Sequence, residues 1–168
     1  MSLLRRLVRD VRAAAAAELA LVMPLLLLLM TGAIELGNYF YNEHILVKAV
    51  RDGARYAARQ DFSNYDACSG SVVEPIFTNT RNLVGTGVLA GGSDRMMNWG
   101  AATFTMTMSC TTTAGGQTMT GIYRGRASGA PRVMVDASVP YPSFFGVLGL
   151  TDSSLRLRAT EEAAVMGL

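Results

Sequence analysis

Histidine is nearly missing from this chain: His44 stands alone among 168 residues. Thiols are almost as rare, with Cys68 and Cys110 making up the whole supply. No set of His and Cys residues has the spacing of a metal site, and no serine has a base that the sequence can identify as its partner. The glycine pairs (Gly85 with Gly87, Gly91 with Gly92, Gly115 with Gly116) neither follow a strand nor open a helix, as phosphate-cradling loops do. No enzyme, cofactor or metal is therefore expected. Charge is scarce too, at 17% of residues with a formal net of +2, and such a balance gives no strong pull toward nucleic acid.

The scarcity of charge is greatest at one place. From 13 to 34 Glu18 is the sole ionisable residue, and leucine dominates 23–30, unbroken from Leu25 to Leu29. A helix needs about 20 apolar residues to span a hydrocarbon core of about 30 Å, and this run is just long enough. Arg5, Arg6, Arg9 and Arg12 precede it against one acid, Asp10. Positive residues beside a span stay in the cytoplasm, so the far end faces out. Tyr39, Phe40 and Tyr41 fall where an aromatic belt would meet headgroups.

A cleaved secretory signal is the rival reading, since it too has a basic start and an apolar middle. Against it, the apolar run exceeds a usual signal core, and Thr31-Gly32-Ala33 is the nearest thing to a small-x-small cleavage site. The helical pattern also continues through Leu36, Tyr39, Phe40, Leu46, Val47, Val50, Ala54, Ala57 and Ala58, mostly at steps of three and four. One long helix over 5–60 is expected, uncleaved as a signal. The resulting organisation is a basic cytoplasmic leader at 1–12, a transmembrane helix at 13–36, its extracytoplasmic continuation at 37–60, and an extracytoplasmic domain at 61–168. Asp52 and Arg55 are spaced to pair on the exposed face of the continuation.

In an oxidising compartment Cys68 and Cys110 should form a disulfide. The closed loop of about 40 residues gives a chain-entropy stabilisation of about 4 kcal/mol. Two unrelated buried thiols are the alternative.

Past the helix, 61–70 has loop composition, and 72–89 repeats Ile76, Phe77, Thr80, Leu83 and Val84 at helical spacing with Pro75 in the first turn. The period then changes to two. Residues 103–110 alternate Phe104, Met106, Met108 and Cys110 with Thr and Ser. Residues 132–141 turn Val133, Val135, Ala137, Val139 and Tyr141 inward, with Asp136 and Ser138 outward. Residues 155–165 turn Leu155, Leu157 and Ala159 to one side. These are three half-buried strands, separated by a Gly/Thr loop at 111–117, a basic segment at 123–129 and a short apolar helix or turn at 143–150. The expected fold class is α+β: a long helix whose outer stretch packs its apolar stripe on a small antiparallel sheet.

Four runs carry a family resemblance: AAAAAELALVMPLLLLLMTGAIELGNYFY at 13–41, AVRDGARYAAR at 49–59, VPYPSFF at 139–145 and LRLRATEEAAV at 155–165. Together they resemble TadE-like proteins, pilin-like companions of the Flp (tight-adherence) pilus. The resemblance implies a pilin-like minor pilin or pseudopilin in the bacterial inner membrane, with a periplasmic domain. It would serve assembly of a type IV (Flp/Tad) pilus or its secretion platform, and hence adhesion. The implied partners are the membrane, other pilins, TadE/TadF-like minor pilins, the Tad secretion platform and prepilin peptidase. The resemblance also implies a peptidase cut, here between Ala13 and Ala14, which would make Glu18 the fifth residue. Ala13 stands where pilins usually carry glycine, and an uncut anchor stays open. A membrane-anchored periplasmic adaptor that never enters a filament is the alternative function.

A carboxylate in hydrocarbon is costly unless paired. Glu18 is thus expected to meet the new α-amine of a neighbouring subunit and so set axial register; the plain alternative is a solvated side chain near Arg12. Pro24 removes one helical hydrogen bond and would loosen the helix during extraction into a filament, although kinked spans are common.

Overall fold

A computed structural model describes residues 11–111, 119–126, 128–147, 149 and 155–167. Helix α1 runs Val11–Ala58, followed by strand β1 (Ser69–Ser71), helix α2 (Ile76–Thr86), strands β2 (Thr103–Thr111) and β3 (Ala130–Pro140), the single-turn helix α3 (Phe144–Val147) and strand β4 (Arg156–Ala164). The four strands form one antiparallel sheet in the order β1-β2-β3-β4. The fold is α+β, as the change of period from helical spacing to alternation implies. The chain divides into two compact units, one ending at Asn38 and the other beginning at Tyr39.

In the second unit the core forms between α1 and one face of the sheet. Leu46, Ala49, Val50, Ala54, Ala57 and Ala58 are buried with Met106, Met108, Val133, Val135, Ala137, Val139, Leu157 and Ala159 in one cluster. The helical residues recur at three and four, so they line one side of α1. The strand residues alternate, so they share one face of the sheet. Most of the helical set is alanine, which keeps the helix close to the sheet. Gly53 extends that logic sideways, because a Cβ there would sit 2.5 Å from Val84 Cγ2 of α2. Tyr56 Oη accepts a 3.2 Å hydrogen bond from Asn79 Nδ2 of the same helix.

Several sequence expectations need correction. Among the described residues there are four strands, not three: β1 begins in the stretch read as a loop. It forms because Ser69 pairs with Ser109 and Ser71 with Thr107, a pairing across 40 residues that local composition cannot announce. The helix expected over 72–89 is shorter. Pro75, which follows a cis peptide bond, is its N-cap, and Gly87, at φ 88°, ends it by donating its N–H to the Leu83 carbonyl at 2.9 Å. Ser138 is on the outer face yet buried, because Arg156 lies across it with Nε donating to Ser138 Oγ at 2.9 Å. Leu155 precedes β4 and is exposed. Among the described residues, the ion pair on the exposed side of α1 joins Arg51 to Glu161 at 3.4 Å, rather than Asp52 to Arg55. Residues 5–10 of the expected helix and most of the 111–117 loop fall outside the described residues.

The carbonyls of the two prolines in β3 are both hydrogen-bonded, one by backbone and one by a side chain. Pro131 has no N–H, but its carbonyl accepts from Val165 N at 2.9 Å. The Val165 carbonyl in turn accepts the Tyr123 hydroxyl proton at 2.8 Å. Pro140, at the other end, accepts from Asn98 Nδ2 at 3.5 Å.

Candidate functional site

The candidate site is the first stretch of α1. Leucine, methionine and alanine here are strong helix formers, and no glycine occurs between Val11 and Met30. Pro24 sits inside the helix, which continues through it. The large apolar side chains from Leu19 to Met30 are 46–81% exposed. The polar group nearest their end is hidden locally, since the Thr31 hydroxyl donates to the Leu27 carbonyl at 2.6 Å. The helix is long and apolar enough to cross a membrane: an 18-residue window has a mean hydropathy of 2.2 with none of it buried.

Glu18 and Ala14 are exposed on this stretch, and so is Pro24. Ala13 is helical. Among the described residues Glu18 takes part in no ion pair. Glu18, Pro24 and Ala14 are thus exposed on α1, with Ala13 on the same helix.

The cysteines do meet. Cys68 and Cys110 form a disulfide with a Cα–Cα distance of 5.0 Å across a sequence separation of 42. Their position follows from the strand register: Ser69 faces Ser109, and one step further along that ladder Cys68 faces Cys110. Cys68 has φ 54°, so the chain turns there to enter β1. The bridge pins the shortest strand of the sheet to its longer neighbour.

Titration is perturbed at two places near the end of α1. The exposed Asp61 carboxylate accepts from Ser63 N at 2.8 Å, and hydrogen bonding by Ser63 holds its pKa below the usual value. Tyr65 is buried, and burial pushes its phenol pKa up; its hydroxyl donates to the Ala57 carbonyl at 2.6 Å. Tyr65 thereby braces the end of α1, and Asp61 caps the 3-10 turn over Phe62–Tyr65 that follows it. Among the described residues no group of three His, Cys, Asp or Glu is placed to hold a metal.

A continuous apolar cylinder, followed on the same helix by an Arg-x-Gly-Ala-Arg turn that packs through its glycine, is the geometry to compare with known proteins. Residues 13–55 match the family model of TadE-like proteins. The TadE-like stretch lies within α1 and takes in both the apolar run and Gly53. The sheet, α2 and the disulfide lie outside it, as do the runs at 139–145 and 155–165. No curated protein and no solved structure matches the chain.

Sequence reasoning missed Ala49 and Gly53, both buried against the domain. Neither carries a hydrophobic signal by size, but both fall on the helical spacing of Leu46, Val50 and Ala57, which was the signal to follow.

Proposed function

We propose that this chain is a membrane-anchored minor pilin or pseudopilin that acts in assembly of a Tad-type pilus or of its secretion platform. The TadE-like match over 13–55 is the observation that carries this reading, and the exposed apolar run supports it. The role is structural rather than catalytic. The leader stays in the cytoplasm, 13–36 crosses the inner membrane, 37–60 continues the helix outside, and 61–168 forms the periplasmic domain. Pilins, TadE/TadF-like minor pilins and the platform are the partners.

Within this reading Glu18 has a physical task. A carboxylate facing hydrocarbon is stable only when paired, so a neighbouring subunit's α-amine at one axial position favours that register over all others. Cutting between Ala13 and Ala14 by prepilin peptidase creates such an amine. Pro24 leaves a helical carbonyl without its backbone donor, a local weakness that helps the helix leave the membrane.

The test is location and company. Immunogold labelling of sheared filaments and of membranes, with co-purification of pilin and platform proteins, should find the chain with at least one of the two. A chain that travels with neither is an anchored adaptor, and the reading fails. Glu18→Gln should abolish incorporation and leave membrane insertion intact; normal piliation would remove Glu18 from this role. N-terminal sequencing that starts at Ala14 supports the cut, whereas an intact start discards it.

A further inference from the structure

One end of the unit that begins at Tyr39 collects exposed apolar side chains from four separate parts of the chain. The Tyr39 ring packs edge-on against Tyr141, with centroids 5.3 Å apart, and against Phe40 at 5.9 Å. Tyr141 N donates to the Leu155 carbonyl at 2.9 Å, which puts Leu155 at the same level. Phe144 follows Tyr141 by three residues, so chain length alone keeps it within about 11 Å. Asn98 reaches the Pro140 carbonyl, which brings Met97 to the same end. Phe40, Tyr41, Met97, Phe144 and Leu155 are 49–72% exposed there.

A soluble domain gains nothing from gathering five large apolar side chains at one edge, since each leaves apolar area in water. Such a gathering marks an interaction surface. Chain continuity identifies what it meets. Tyr39 is three residues past Leu36, at the end of the apolar run, and none of the most apolar stretch of that run is buried. Tyrosine settles at the headgroup level, with an apolar body in lipid and a wet hydroxyl, and phenylalanine occurs on the apolar face of interfacial segments.

We propose that this end of the unit rests in the interfacial zone of the membrane, seated by Met97, Phe144 and Leu155 beside the aromatic pair Phe40 and Tyr41. The inference rests on the membrane-anchored reading above. Two loops and α3 then hold this edge at the lipid surface in addition to the helix.

The experiment uses the full chain in vesicles of phosphatidylcholine and phosphatidylglycerol at a fixed mixture. Both native cysteines are in the disulfide, so a thiol introduced by Met97→Cys or Phe144→Cys takes a single nitroxide label. Thr105→Cys, on the exposed threonine face of β2, is the aqueous reference, and Leu27→Cys is the lipid reference. Power saturation with oxygen and with a water-soluble nickel complex should place labels 97 and 144 about 5–10 Å into the headgroup boundary, the depth of interfacial apolar faces. Loss of nickel relaxation at 97 and 144 relative to 105 supports the inference. Nickel relaxation equal to that of 105 overturns it. The label at 27 then says whether the anchor reading stands, if lipid-buried, or falls too, if wet.

Discussion

The two stretches of α1 use the same backbone and opposite surroundings. Between Leu19 and Met30 every large apolar side chain is at least 46% exposed, whereas Leu46, Ala49, Val50, Ala54 and Ala57 are at 0–1%. The difference is pattern rather than hydrophobicity. In the later stretch the apolar residues are spaced at three and four, so one sheet face covers them all. In the earlier stretch they are consecutive and point in every direction around the helix. No single sheet can cover a cylinder, so such a helix is stable only in an apolar solvent or among several neighbours. That requirement makes the first stretch the candidate site and the second stretch a core element.

The sharpest way to break the comparison is to make the same truncation in both stretches. Leu46→Ala removes a fully buried side chain and should destabilise the domain by about 2–5 kcal/mol. Leu27→Ala should leave domain unfolding unchanged, because Leu27 contributes nothing to that core. Chemical denaturation in detergent, followed by Trp99 fluorescence, reads the domain alone. Equal shifts from the two variants would mean that the stretches are not energetically separate.

The next prediction concerns where the helix ends, and it depends on pH. The buried Tyr65 hydroxyl holds the Ala57 carbonyl, and burial raises its pKa above the ordinary value of 10.0. A raised folded pKa means that the stability linked to the neutral phenol is complete below pH 10 and shrinks as pH rises above it. Tyr65→Phe should cost about 0.5–1.5 kcal/mol at neutral pH, the net value of one hydrogen bond, because Gln60 N still donates to the Ala57 carbonyl at 3.1 Å. It should also flatten the alkaline loss of stability above pH 10. An unchanged alkaline limb in the variant would show that another group controls it. Asp61 has the opposite sign: its lowered pKa gives a contribution present above the usual carboxylate range and lost as acid protonates it.

Much of this was legible from residues alone, for physical reasons. Long runs and strict alternation are local signals, so the apolar helix, the stripe from Leu46 to Ala57 and the inward faces of β2 and β3 could be read directly. The disulfide was expected from two cysteines that the expected topology puts in an oxidising compartment. What escaped depends on distant partners. β1 is three residues long and exists through its pairing with β2. Ser138 is buried by an arginine 18 residues away, and Arg51 finds Glu161 across 110 residues. The ends of α2 moved inward because Pro75 and Gly87 outweighed the periodicity of the flanking valines and leucine. Of the candidate site, the exposed run and Glu18 were legible in the residues, whereas the register pair proposed for Glu18 would lie between subunits, outside the fold of a single chain.

The smallest expected effect tests what joins the later stretch to the sheet. Arg51 Nε and Glu161 Oε1 are 3.4 Å apart, with side chains 49% and 36% exposed. At that exposure water screens the pair, and ordering two long side chains opposes it, so the coupling should lie at about 0.2–1 kcal/mol. A double-mutant cycle with Arg51→Ala and Glu161→Ala, repeated at high salt, measures it and should show a further decline as screening increases. The Arg126–Asp66 pair makes a useful contrast. Its distance is 2.6 Å, the arginine is only 16% exposed, and the guanidinium also lies over the Phe62 ring at 4.6 Å, so its loss should exceed that of Arg51. If Arg51 and Glu161 instead couple by several kcal/mol, charge rather than the alanine-lined stripe would be holding this stretch to the sheet. The contrast between the two halves of α1 would then rest on the wrong interaction.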